Sequence, residues 1–194
     1  MSTMLALLIG AMVFGHAAQP PATPVVIGVW ESERCVVQER GGNRTSSKSV
    51  FIFLDREWAL EFVQFADDQC ARPAMKAFFA GQYEITQQSR TVPGANDATF
   101  GFSYKAVTLY DESLLAEANR GVCGRRGWER GTPQDVSATG CFWVTPTSAC
   151  PKEFDLAKLE GHRLFLGERP QPGQDLCRED RRAKTLRTLP LVRR

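Results

Sequence analysis

Alternation of apolar and polar side chains is the clearest pattern along the chain. Trp58, Leu60 and Phe62 are separated by single residues that include Glu61. A period of two residues is typical of a β-strand with one buried face. A β-branched and aromatic run at 49–54 precedes this segment, with the polar sequence Asp-Arg-Glu between them. The two runs therefore predict a β-hairpin.

Two later segments, 76–86 and 98–110, repeat the alternation around a turn-forming sequence rich in Pro, Gly, Asn and Asp. The first segment predicts a shared face for Ala77, Phe79, Gly81, Tyr83 and Ile85. The second predicts Phe100, Phe102, Tyr104 and Ala106 on one face and Thr99, Gly101, Ser103 and Lys105 on the other. Both faces would extend one sheet with an aromatic side.

One segment departs from this rhythm. Residues 111–121 carry a capping residue at Asp111 or Ser113, apolar side chains at helical spacing and a terminal Gly121, which predicts a short helix. Apolar residues on both sides of a Glu-Gly-His turn then predict a last hairpin over 154–167. Short strands at regular spacing indicate a single all-β domain, either an antiparallel sandwich or a barrel.

The N-terminus predicts export. An apolar run from Met4 to Phe14 is followed by Gly15-His16-Ala17, a small-x-small cleavage site. Eleven apolar residues are too few to span a bilayer as a helix. We therefore predict a signal peptide at 1–17, followed by a linker at 18–25, rather than a buried N-terminal helix. Localisation would be secreted or periplasmic.

All six cysteines follow the predicted cleavage site. An even number of widely spaced cysteines in an exported chain is typical of three disulfides, whose pairing the spacing does not decide. The alternative is a zinc site, but the chain lacks a C-x-x-C pair and has one histidine after residue 17. We expect no metal and no cofactor. The cysteines are Cys35, Cys70, Cys123, Cys141, Cys150 and Cys177.

The net charge of +2 is unevenly distributed. Seven basic and two acidic residues lie between Arg178 and Arg194. The remainder is therefore slightly acidic and is no platform for nucleic acid. We predict a barrel or sandwich domain over 26–176 and a solvated basic tail over 177–194, with membrane contact expected only through that tail.

Catalytic motifs are sparse, and we expect a protein that is not an enzyme. His162 is predicted in a turn, and neither a G-x-S-x-G elbow nor a phosphate-binding glycine motif is present. Disulfides would leave no thiolate nucleophile. A pair of carboxylates could hydrolyse glycosides at the right separation, so a secreted enzyme using such residues is the alternative. The candidate carboxylates are Glu61, Asp67, Asp68 and Asp135.

The alternating segments place many aromatic side chains on one face. A sheet closed from about eight strands either fills its interior with side chains or leaves room for one small ligand, and aromatic alternation alone does not separate the two. The candidate lining residues are Phe51, Phe53, Trp58, Phe62, Phe79, Tyr83, Phe100, Phe102 and Tyr104.

The loop Gly124–Gly140 is the second candidate surface. Arg125, Arg126, Trp128 and Arg130 lie close together there, and exposed Trp and Arg side chains are typical anchors of protein interfaces. This loop would serve a packed-core interaction module, with Arg126, Trp128 and Arg130 contacting a partner. A purely structural envelope protein is a further alternative.

An ordered set of motifs over 28–191 resembles the domain of the adenomatosis polyposis coli down-regulated family. Each motif is weak by itself, and the order makes the set specific. The motifs are Gly28-x-Trp30-x-Ser32-x-x-Cys35, Asp67-x-x-Cys70-x-x-Pro73, Gly81-x-Tyr83, Cys123-Gly124, Trp128, Gly131, Gln134-Asp135-Val136, Gly140-Cys141, Phe165-Leu166-Gly167-Glu168 and Pro190-Leu191.

The resemblance implies a lipocalin-like antiparallel β-barrel with an apolar cavity. Animal members of the family are secreted or membrane-anchored inhibitors of Wnt signalling, and the cavity is implicated in binding the fatty-acyl group of Wnt proteins. We expect a single-domain member that holds a hydrophobic small molecule or acyl chain, with an acylated protein as a candidate partner.

The resemblance also suggests structural roles. It implies that Cys35 pairs with Cys70, which leaves Cys123–Cys141 and Cys150–Cys177 as the preferred remaining bridges. Gly28 would let the first strand bend beneath the barrel, and Trp30 would close its floor. A lipocalin-like carrier, which also begins with Gly-x-Trp, is the nearest structural alternative.

Overall fold

The computed structural model describes residues 23–40, 43–169 and 175–194. The predicted signal peptide and most of the predicted linker lie outside the described residues. The described part contains eleven strands and one α-helix. They are β1 (Gly28–Ser32), β2 (Val36–Arg40), β3 (Asn43–Phe53), β4 (Glu57–Phe65), β5 (Pro73–Gln88), β6 (Asn96–Gly101), β7 (Tyr104–Leu109), α1 (Glu112–Glu117), β8 (Gln134–Asp135), β9 (Lys152–Glu160), β10 (Arg163–Leu166) and β11 (Leu191–Arg193).

Eight of the strands form a closed antiparallel barrel. Around the barrel the order is β1, β3, β4, β5, β6, β9, β10 and β11, and β11 returns to pair with β1. Closure leaves these strands without a free sheet edge. The predicted all-β fold, lipocalin-like barrel and single short helix are confirmed.

The long strand β5 allows the barrel to close because its two neighbours in the barrel, β4 and β6, pair with different parts of it. Its first part, Pro73–Gln82, pairs with β4, and its last part, Tyr83–Gln88, pairs with β6. The strand β7 pairs with the first part of β5 outside the ring and carries the short strand β8. The aromatic segment 98–110 is thus two strands with a break between them.

Local sequence explains the tight connections. The predicted hairpins are confirmed as β3–β4 and β9–β10. Gly161, in the second turn, has a φ of +58°, a backbone conformation that favours glycine. The helix α1 begins after Asp111, whose carboxylate accepts hydrogen bonds from the backbone N–H groups of Ser113 and Leu114. A single π-helical turn, Ala118–Val122, follows α1.

The C-terminal residues belong to the barrel, so the predicted domain boundary at residue 176 is wrong. Leu191 pairs with both Leu164 of β10 and Ser32 of β1. The segment 175–187 also crosses the outside of β9, where Leu176 and Ala183 pack on Leu156. The prediction rested on the count of charged residues and overlooked the apolar residues between the arginines. These apolar residues, Leu176, Ala183 and Leu191, pack against the barrel or pair with its strands.

The main core lies inside the barrel and continues under α1 and the loop after it. Its largest fully buried side chains include Trp30, Phe51, Phe53, Phe100 and Leu164. Within the described residues, no helix combines the length and apolar character needed to cross a membrane.

Candidate ligand-binding site

Eight of the nine predicted lining residues share one aromatic wall. Phe51, Phe53, Trp58, Phe79 and Phe100 are buried, and Phe62, Tyr83 and Phe102 are partly buried. The strand registers pair Trp58 with Phe53 and Leu60 with both Phe51 and Phe79, which places these side chains on the inward face.

The rings of this wall contact one another continuously. Ring centroids are 5.9 Å apart for Phe51 and Phe53, 4.8 Å for Trp58 and Phe100, and 5.7 Å for both Trp58–Phe102 and Phe79–Phe102. Tilted and edge contacts at these separations suit the aromatic quadrupole. The section around Phe51, Phe53 and Phe100 is therefore a packed core.

Tyr104 was predicted in this wall, and the prediction is wrong. Strand alternation is interrupted at Phe102 and Ser103, whose N–H groups donate to Pro151 and Ala80 instead of continuing the ladder. Tyr104 pairs with Ala80 and is 39% exposed on the outer face. A strict period of two across 98–110 does not allow for the break.

Lys105 takes the inward position that follows the break, contrary to its predicted outward side. It pairs with Phe79, and its side chain is buried. The ammonium Nζ donates to the carbonyl oxygens of Thr145 at 2.9 Å and Cys150 at 3.1 Å, and lies 4.2 Å from the centre of the Phe102 ring. Burial lowers the pKa of Lys105, although Glu153 opposes the shift.

Trp143 completes the wall at the surface, and sequence reasoning missed it. Its ring lies 5.4 Å from Phe62 and 6.2 Å from Phe79, yet the residue is 48% exposed. Since Phe62 and Phe79 face inward, Trp143 extends the series of inward-facing rings to a half-exposed side chain. We call Phe62, Phe79 and Trp143 the aromatic rim.

A tight turn positions Trp143 at the rim. Cys141 and Val144 exchange two backbone hydrogen bonds of 2.8 and 2.9 Å, with Phe142 and Trp143 between them. Gly140 has a φ of +67°, and a Cβ there would lie 2.6 Å from the carbonyl oxygen of Val144. An aromatic pair beside a cysteine, in Cys-Phe-Trp-Val, is the sequence signal that could have identified this position.

Trp30 and Val26 are buried in the main core, and Trp30 pairs with inward-facing Phe51 in the strand register. Both are 1% exposed, and the indole Nε1 donates to the carbonyl oxygen of Val26 at 2.7 Å. Gly28 has a φ of +133°, and a Cβ there would meet the Arg193 guanidinium at 3.3 Å. The positive φ fits the predicted bend in the first strand. We call Val26 and Trp30 the floor.

Trp128 is not part of an exposed partner surface, so that prediction is wrong. It is 4% exposed and packs in the main core, while Asn119 hydrogen-bonds both its N–H and its carbonyl oxygen. Arg126 and Arg130 are exposed, and Arg130 pairs with Glu112 at 3.2 Å. The neighbouring arginines suggested an exposed loop, but the apolar indole of Trp128 is buried in the core.

The candidate catalytic carboxylates have separate structural partners. Asp67 accepts hydrogen bonds from three backbone N–H groups of its own loop, which lower its pKa. Asp68 pairs with Arg44 at 2.7 Å, Glu61 pairs with Lys76 at 3.2 Å, and Asp135 accepts from the N–H of Ser137. His162 is exposed in its predicted turn. In 23–40, 43–169 and 175–194, no group of three His, Cys, Asp or Glu could hold a metal.

A buried charge cluster was also missed. Asp155 is fully buried, its Oδ1 accepts from the N–H of Gly167, and Arg169 lies 3.6 Å from its Oδ2. Arg169 also pairs with Glu153. Burial raises the pKa of Asp155, although the positive charges of Arg169 and Arg187 oppose the shift. Burial, together with the positive charge of Arg169, lowers the pKa of Arg187 to about 10.

The three preferred disulfides are all present. Cys35 is bonded to Cys70, Cys123 to Cys141, and Cys150 to Cys177. The second bridge holds the turn that carries Trp143, and Cys150 of the third contributes a carbonyl oxygen to Lys105. Two of the bridges therefore support the loop that completes the rim.

The family comparison covers more than half of the chain. The model of the family described as adenomatosis polyposis coli down-regulated 1 matches residues 14–135. None of the curated proteins matches the chain. The three disulfides and the barrel fit the extracellular, non-enzymatic type of domain found in this family. By this match, the chain belongs to the adenomatosis polyposis coli down-regulated 1 family.

Proposed function

We propose that this protein is an exported, non-catalytic carrier that holds a fatty-acyl chain against the aromatic wall, with entry at the rim. One observation carries the proposal. An inward-facing series of rings runs from buried Trp58 through Phe102 and Phe79 to half-exposed Trp143. An apolar surface that continues from a core to solvent is suited to a hydrophobic ligand.

The energetics allow useful affinity without chemistry on the ligand. Burying a methylene group contributes about 0.8 kcal/mol, so a chain of ten carbons could gain about 8 kcal/mol. Loss of ligand freedom and ordering of side chains offset several kcal/mol of this gain. A micromolar dissociation constant corresponds to about −8 kcal/mol, so the net affinity of a ten-carbon chain is weaker than micromolar, and a longer chain would be needed to reach that range.

The packed section near Phe51 and Phe100 limits where the chain can lie. A ligand there would have to displace rings that contact one another, whereas Phe62, Phe102 and Trp143 each retain exposed surface. We therefore assign the ligand to the wall between Phe102 and the rim. Lipid-linked proteins and free fatty acids share the acyl chain that this site would recognise.

Native mass spectrometry of the exported protein, with lipid extraction after denaturation, tests the proposal first. A fatty acid or acyl fragment at one molecule per protein is expected. Protein that is empty and takes up no palmitate or palmitoleate would indicate a filled interior and would overturn the proposal. It would then favour the alternative of a packed-core interaction module.

Two aromatic substitutions locate the ligand. Trp143→Ala should weaken palmitate binding at least tenfold, because it removes the exposed end of the wall. Tyr104→Ala is the matched control, since Tyr104 is a similarly exposed ring on the outer face. A loss confined to the Tyr104 variant would place the ligand outside the barrel. The more drastic Phe79→Asp and Phe102→Asp changes should abolish binding while the three disulfides still form.

A further inference from the structure

A second surface surrounds the Cys123–Cys141 bridge. The two Cα atoms are 4.3 Å apart, so the residues flanking Cys123 and the turn after Cys141 are neighbours. Arg120 and Val122 precede Cys123, Arg125 and Arg126 follow it, and Trp143 lies two residues after Cys141. We call these five residues the arginine–tryptophan surface.

The loop that carries the arginines has a defined conformation. Its beginning is fixed by the disulfide and its end by buried Trp128, which Asn119 hydrogen-bonds at 2.8 and 3.0 Å. Gly124 and Gly127 have φ values of +71° and +79°, so the chain turns sharply on both sides of Arg125 and Arg126. The two arginines therefore lie at the tip of a short, anchored loop, and both are exposed.

The apolar part of this surface is unusually exposed. Val122 is 56% and Trp143 is 48% exposed. The other three tryptophans of the protein, Trp30, Trp58 and Trp128, are between 1% and 4% exposed. Tryptophan has an apolar body and one polar N–H group, which favours the boundary between water and lipid headgroups.

The charged part is positive and largely uncompensated. Residues 118–131 contain four arginines and one glutamate. Arg130 is paired with Glu112, and Arg125 lies close enough to Asp135 to help lower the pKa of that carboxyl, after the hydrogen bonds from Ser137. Arg120 and Arg126 have no ion pair with any of the described residues. Positive charge beside exposed apolar side chains complements a negatively charged bilayer surface.

We propose that the arginine–tryptophan surface binds anionic lipid bilayers. The arginines contact the headgroups, while Val122 and Trp143 insert into the boundary between headgroups and acyl chains. Trp143 belongs both to this surface and to the aromatic rim, so the opening of the wall would face the bilayer. Adsorption to the membrane needs only these exposed side chains and stands whether or not the barrel holds an acyl chain.

Flotation with vesicles tests the binding directly. Full-length exported protein should float with vesicles of phosphatidylcholine and phosphatidylglycerol in a 70:30 ratio, and at least tenfold less with pure phosphatidylcholine. Raising the salt from 0.1 to 0.5 M should weaken flotation severalfold, because counterions screen exposed charges. Failure to float with the anionic vesicles at low salt would overturn the proposal.

Charge reversal locates the contact. Arg120→Glu combined with Arg126→Glu should reduce flotation at least tenfold and leave palmitate binding in solution unchanged. Arg90→Glu combined with Arg163→Glu is the matched control, since these exposed arginines lie elsewhere and change the net charge equally. An equal loss in both variants would show attraction by net charge alone and would overturn the assignment to this surface.

Tryptophan fluorescence tests the orientation independently. Brominated phosphatidylcholine in the vesicles should quench the emission, and Trp143→Phe should remove most of that quenching, because the other three tryptophans are buried. Quenching that persists in the Trp143→Phe variant would contradict insertion at this surface. Palmitate binding measured without vesicles separates this outcome from a failure of the proposed carrier function.

Discussion

The floor and the aromatic rim each place a tryptophan on the same aromatic wall, but different interactions hold them. At the floor, Trp30 is 1% exposed and hydrogen-bonded to Val26 only four residues away. At the rim, Trp143 is 48% exposed and is held by a disulfide, a tight turn and a buried lysine from distant parts of the chain. The floor contributes stability through packing, whereas the rim leaves apolar surface available for binding.

Trp30→Ala should give the largest loss of stability. It removes a fully buried indole and its hydrogen bond, and substitutions of this type cost about 3–5 kcal/mol. Urea unfolding followed by circular dichroism measures the change in the free energy of unfolding. A loss below about 1 kcal/mol would mean that the floor is not a structural plug.

Removal of individual disulfides should have the next largest effect on stability, and only the bridge near the rim should also affect binding. In the chain-entropy model, loss of Cys35–Cys70, which closes 35 residues, costs about 4 kcal/mol, and loss of Cys123–Cys141, which closes 18, costs about 3 kcal/mol. The double alanine variant at Cys123 and Cys141 should also lose palmitate binding, because it releases the turn that carries Trp143. The first variant should retain binding under conditions in which it is folded. Equal binding losses would remove the distinction between the two bridges.

The floor and the rim also differ in how far the sequence predicts them. The hairpins follow from local patterns, because alternation and turn residues act over a few positions, and the roles of Gly28 and Trp30 come from the family resemblance. The inward position of Lys105 depends on a strand break, and the burial of Trp128 depends on packing from remote segments. The place of β11 in the barrel depends on pairing with β1, more than 150 residues earlier. Contacts between such distant residues leave little trace in local periodicity.

Lys105→Met should cause an intermediate loss of stability and should also weaken ligand binding at the rim. It leaves the buried carbonyl oxygen of Cys150 and the partly buried carbonyl oxygen of Thr145 without their donor, which costs about 1–3 kcal/mol. Palmitate binding should weaken, because these carbonyls position the loop between Trp143 and the third disulfide. Lys105→Arg is the control that keeps the charge. Unchanged binding in both variants would show that the rim does not depend on this lysine.

The lowered pKa of Lys105 predicts how its contribution to stability changes with pH. Because burial lowers the pKa, the unfolded chain binds more protons than the folded protein between the folded-state value and the ordinary value of about 10.5. The contribution of Lys105 to stability should therefore rise with pH across that window. The difference in unfolding free energy between wild type and Lys105→Met, followed by urea titration as pH approaches 10.5, measures it. A difference that falls with increasing pH would contradict a desolvated ammonium.

Trp143→Ala should have the smallest effect on stability and so completes the comparison. About half of this residue is already in solvent, and substitutions at such positions change the unfolding free energy by about 1 kcal/mol or less. Acrylamide should quench Trp143 in the wild type far more than the three buried tryptophans, and the variant should lose that accessible fraction. A large loss of stability would mean that Trp143 is a packing residue like Trp30. A small loss accompanied by loss of palmitate binding would show that the two tryptophans divide stability and recognition between them.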